Sequence, residues 1–150
     1  MEAEKVLRRG RKLAIEIRIW EERLEEEKRY TIDYSLSSPQ LGKEGSSGNS
    51  AHWASFEKQA DRSVDNMLRI KGILQRKNEE LDEILILIQE VEKPEHVSLL
   101  QNRYIKGLSW RQTKKAMEAD GYFYSENYLK IRMKEAALSK FSESMKCKIM

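Results

Sequence analysis

The chain has 150 residues, of which 35% are charged and 39% hydrophobic, and its formal net charge is +3, a size that accommodates one or two small domains. It holds seven glycines and two prolines and sustains no strand-like alternation, which excludes a sheet protein and predicts an all-α fold. A lone cysteine, Cys147, excludes an internal disulfide, and with only His52 and His96 beside it no metal-ligand set or bound cofactor is expected.

Residues 1–32 read as a first long helix. Val6, Leu13, Ile17, Trp20 and Leu24 fall on one stripe, and the other faces are almost wholly Glu, Arg and Lys. The Arg8-Arg9-Gly10-Arg11-Lys12 cluster suits either a solvated helix end or a nucleic-acid patch. No uninterrupted apolar run occurs there, so neither a signal peptide nor a membrane contact is expected, and the compartment is expected to be the cytoplasm.

Residues 33–54 are rich in Ser and Gly and read as a flexible linker, because so few apolar groups cannot offset the entropy of ordering. Gly42-Lys43-Glu44 lacks the upstream glycine and following hydroxyl of a phosphate loop, so no nucleotide site is expected.

Residues 55–93 read as a second long helix with a coiled-coil-like seam. Phe56, Ala60, Ser63, Met67, Ile70, Leu74, Lys77, Leu81, Ile84, Ile88 and Val91 alternate by four and three. The first helix folding back is one partner for this seam, and a second copy of the chain is the other. The second helix is longer than the first can cover. Self-association through Met67, Ile70, Leu74, Leu81, Ile84 and Ile88, as a homodimer or higher homo-oligomer, is therefore the favoured expectation.

Residues 94–141 read as three short helices arranged as a helix-turn-helix domain. Pro94 suits a first helical turn, and Val97, Leu100, Tyr104 and Ile105 give an apolar face that Gly107 terminates. Ser109-Trp110-Arg111-Gln112 is a capping box opening a second helix, which Asp120-Gly121 should end. Ser125 is the next N-cap, and Leu129, Met133, Ala136 and Ala137 form the expected buried stripe of the third helix. Phe123 and Trp110 are expected in the core. Residues 142–150 show no cap or periodicity and read as a frayed tail.

Charge is divided unevenly. Residues 1–93 hold 17 Lys and Arg against 19 Asp and Glu, whereas residues 94–150 hold 11 against 6. The basic balance lies on the segment whose last helix suits a major groove. Asn127 has the amide geometry for an adenine edge, Lys130 and Lys134 reach a guanine edge or phosphates, and Tyr128 and Ile131 suit a thymine methyl. Arg111, Lys114 and Lys115 on the second helix are placed to meet the DNA backbone. Both histidines read as ordinary surface residues, and no isolated carboxylate pair suits acid–base chemistry, so an enzyme is not expected.

Arg103-Tyr104-Ile105-Lys106-Gly107-Leu108-Ser109-Trp110 resembles the Arg-Tyr-x-x-Gly-Leu-(Ser/Thr)-Trp run of phage-encoded late transcription regulators of the ArpU/RinA type, whose last domain is similar to the sigma-factor helix-turn-helix. The layout of long helix, linker and long helix is similar too. The sequence departs from that pattern at Thr113 and Lys114, where an aliphatic residue and an alanine are usual, and in a longer turn over residues 118–124. The resemblance implies sequence-specific binding of double-stranded DNA and transcription control in a prophage of a bacterial host, with RNA polymerase as a further candidate partner. Two alternatives stay open: a DNA-packaging subunit like the phage small terminases, and a protein-only interaction module that has lost DNA binding.

Overall fold

The computed structural model describes the backbone of residues 2–41 and 49–149, and the side chains of residues 2–30, 58 and 61–147. Among the described residues every regular element is helical. Helix α1 spans Glu2–Leu41 and α2 spans Asn49–Gln89. Helix α3, Pro94–Leu100, runs on into a π-helical turn over Gln101–Ile105. Helix α4 spans Trp110–Ala119. A final helix begins as α5, Glu126–Tyr128, passes through a second π-helical turn at Leu129–Met133, and continues as α6, Lys134–Ile149.

The long helices extend further than the sequence suggests. Backbone helix reaches Leu41 and resumes at Asn49, so both ends of the expected 33–54 linker are helical. Lengthening an existing helix avoids the nucleation cost, and this offsets the poor helix propensity of the serines in those ends. The Gly42-Lys43-Glu44 reading lies outside the described residues, as does the side chain of His52. The expected frayed tail is also helical: α6 runs to Ile149, and Met145 is buried in the core.

The chain divides into two units, one made of Ile17–Lys77 and the other of Met1–Glu16 with Asn78–Met150. In the first, Ile17 of α1 and Ser63, Ile70 and Leu74 of α2 are buried. The hydroxyl of Ser63 donates to Glu27 Oε2 at 3.0 Å, and the Arg23 guanidinium lies 4.9 Å from the centre of the Trp20 ring.

The second unit holds the larger core. Ala3, Leu7 and Leu13 of α1 join Ile84 and Ile88 of α2, Leu99 and Leu100 of α3, Met117 of α4, and Leu129, Met133 and Phe141 of the final helix. Leu13 and Ile17 are buried as the sequence stripe predicts, but at its start Leu7 is fully buried while Val6 is only half-buried. Gly10 marks a close approach. A Cβ there would lie 2.6 Å from Ile105 Cδ1 and 3.3 Å from Ile84 Cγ2. On the surface of the same unit, Arg9 makes a two-pronged ion pair with Glu80, at 2.8 and 3.0 Å.

This arrangement decides what the seam of α2 touches. Ile84 and Ile88 are buried in the second unit, Ile70 and Leu74 in the first, and Met67 and Leu81 are half-buried. The chain itself therefore covers Ile70, Leu74, Ile84 and Ile88, while Met67 and Leu81 keep part of their surface accessible.

Candidate nucleic-acid interface

The turns around α4 form where the local chemistry demands them. Lys93 sits extended before Pro94, as the residue before a proline must, and Pro94 occupies the first turn of α3 without wasting a donor. Gly107 adopts φ +70° and ends the first π-helical turn. Ser109 then caps α4: its Oγ accepts from the Gln112 amide at 3.2 Å, and Gln112 Oε1 accepts from the Ser109 amide at 3.0 Å. At the far end Gly121 adopts φ +94°, and the Tyr122 amide reaches back to the Met117 carbonyl at 2.9 Å. Ser125 caps the final helix by accepting from the Tyr128 amide at 3.1 Å.

A polar chain that the sequence did not reveal ties α3 to the end of α4. The side-chain amide of Asn102 donates to the Ser98 carbonyl at 2.9 Å, and the Ser98 hydroxyl donates to Asp120 Oδ2 at 3.4 Å. Both residues are buried. On a helix face they look like solvated positions, and only the approach of Asp120 gives them a purpose. Tyr124 likewise donates to Glu95 at 2.8 Å, which raises the phenol above its ordinary pKa, and its ring stacks on Tyr128 with centroids 5.3 Å apart.

The second π-helical turn changes which residues face inward. One extra residue in that turn rotates everything downstream. Leu129, Met133 and Ala137 are buried as expected, but Ala136 is exposed and Leu138 is buried instead. Phe123 also departs from expectation: at 75% exposure it stands out from the turn, while Tyr122 and Tyr124 pack on the core beside it. Trp110 is half-buried against the core and carries the Arg103 guanidinium 4.9 Å from its ring centre.

The candidate contact residues divide into two sets. Asn127, Tyr128, Lys130 and Ile131 are exposed on the first turns of the final helix, with Ile131 at 59% exposure. Lys134 is half-buried at the end of the same π-helical turn. On α4, Arg111 and Lys115 are exposed, but Lys114 is half-buried and pairs with Glu118 at 3.6 Å. Helix α4 packs against α5 and the π-helical turn that follows.

Thr113 of α4 occupies a core position. It is 0% exposed, and its hydroxyl has no hydrogen-bond partner among the described residues. His96, expected at the surface, is 6% exposed and its Nδ1 is likewise unpaired. Burial and the neighbouring Lys93 push its pKa below the ordinary histidine value.

Among the described residues no group of three or more His, Cys, Asp or Glu side chains is placed to hold a metal ion. No described helix is long and apolar enough to cross a membrane. Comparison with protein-family models, curated proteins and solved structures gives no match.

Proposed function

We propose that this chain is a double-stranded DNA-binding transcription regulator of the phage type, in which α4 and the final helix act as a helix-turn-helix. The observation that carries the reading is the start of the final helix. Leu129 and Met133 anchor it to the core, while Asn127, Lys130 and Ile131 are left exposed at spacings of three and four, the side-chain types that read base edges. Arg111 and Lys115 on α4 supply backbone contacts in this reading, and Lys114 contributes less because Glu118 already engages it. A coiled-coil-like pair of long helices then serves to bring copies together. Ile19, Val64 and Leu68, exposed in the unit built from residues 17–77, are the apolar groups available for that. Self-association would raise the affinity of two weak DNA contacts through effective concentration.

The test is binding to duplex DNA from upstream of the chain's own gene, titrated with salt. Lys130→Ala should lower the salt slope by about one. Asn127→Ala should cost about 1–3 kcal/mol of preference at one base pair. Absence of duplex binding at low salt would overturn the reading.

The exposed Phe123 and Ile131 favour a second reading, a protein-only interaction module, which that negative result would leave standing. A DNA-packaging subunit is distinguished by ring-sized oligomers in solution, whereas a regulator is expected as a dimer.

A further inference from the structure

The unit that carries the final helix also contains a cationic cavity of about 340 Å³. Four cations line it: Arg8 and Arg11 from α1, Arg103 from the first π-helical turn, and Lys134 from the start of α6. A single carboxylate, Glu4, stands among them, and it is paired at 3.8 Å with Arg8, whose side chain is 77% exposed.

The other three cations have no carboxylate partner among the described residues. The two arginines among them lie against groups that leave their charge uncancelled. The Arg103 guanidinium donates to the Leu108 carbonyl at 2.8 Å and stacks on Trp110. Arg11 rests against Gly107, so closely that a Cβ there would collide with its Nη1 and Cζ. Gathering like charges around a concavity is unfavourable in isolation, and elsewhere on the same helix Arg9 shows the usual remedy, a two-pronged pair with Glu80. Here that remedy is missing.

We propose that this cavity is a phosphate-binding site. Four cations against one carboxylate leave an excess that a single carboxylate ligand would only partly offset, whereas a phosphate or pyrophosphate carries the larger charge. The forked guanidiniums of Arg8, Arg11 and Arg103 match phosphate oxygens. Tyr104 lines the cavity with its phenol raised by burial, so it remains protonated as a further donor. The volume is at the small end for ligand pockets and accommodates one or two phosphate groups. The phosphate can belong to a free small molecule or to a DNA backbone, and the experiment separates these sources.

Inorganic pyrophosphate is titrated calorimetrically into the full chain and its Arg8→Gln and Arg11→Gln variants at low ionic strength. The salt slope of duplex binding is measured on the same three proteins. Arg8 is exposed enough that its replacement leaves the fold intact, which circular dichroism checks. Pyrophosphate affinity falling about tenfold or more in both variants, with unchanged duplex slopes, assigns the site to a free phosphate compound. A duplex slope that falls by about one per cation removed assigns it to the DNA backbone. Variants matching the parent in both measurements would overturn the proposal. The site does not depend on the DNA-binding reading: if the parent binds no duplex at all, that reading fails and the pyrophosphate titration still decides this one.

Discussion

Replacing Thr113 by valine should stabilise the protein. The side chain is fully buried, and its hydroxyl has no partner among the described residues, although the Thr113 amide itself donates to the Ser109 carbonyl at 2.8 Å. An unpaired buried hydroxyl costs about 1–3 kcal/mol, and a methyl group of nearly the same shape removes that cost and adds apolar burial. Threonine and valine have similar helix propensities, so the helix itself contributes little to the difference. A gain of about 1.5 kcal/mol corresponds to a rise in melting temperature of about 3–6 °C for a chain of this size. Urea unfolding followed by far-UV circular dichroism gives the free-energy change directly from the shift in midpoint at constant slope. Thr113→Ser provides the opposite case: it keeps the hydroxyl and loses a methyl, and should cost about 1 kcal/mol. If valine destabilised the protein by more than about 0.5 kcal/mol, the hydroxyl would have to be bonded rather than isolated.

Three further outcomes follow from the same structure. His96 has a lowered pKa in the folded state, so its contribution is fully present above the unfolded value of about 6.5 and is lost as pH falls below it, because the unfolded chain binds the proton more readily. Urea midpoints measured across that window should therefore decline with acidity, and His96→Leu should decline less. Equal pH dependence in the two proteins would count against burial of this imidazole among Lys93, Glu95 and Lys140. Gly107→Ala should cost about 1–2 kcal/mol for its left-handed backbone and more for displacing Arg11, whereas Gly121→Ala should show only the backbone cost because its Cβ meets nothing within 4 Å. Similar losses at both glycines would remove the case for the Arg11 contact. Ser109→Ala should cost about 1 kcal/mol by uncapping α4, with Gln112→Ala costing less; native-state hydrogen exchange at the Gln112 amide would register the missing cap.

Local signals in the sequence determined the helical class and nearly all the stops and starts of its second half. Pro94, Gly107, Ser109 with Gln112, Gly121 and Ser125 act within a few residues of themselves, so their effects survive without knowledge of the rest of the chain. Periodicity also located the core stripe of α2, because a buried face must recur with the helical repeat. What covers that stripe was a different matter: the same pattern serves a partner chain or the chain's own first helix, and only the tertiary structure puts Leu7 and Leu13 beside Ile84 and Ile88. It alone put Leu138 in the core in place of Ala136, since a π-helical turn shifts the repeat by a residue that no spacing rule anticipates. The burial of His96, Asn102 and Thr113 was equally hidden, because a polar residue looks solvated until another element closes over it. The cavity among Arg8, Arg11, Arg103 and Lys134 joins residues more than ninety positions apart in the chain, and no reading of one segment could bring them together.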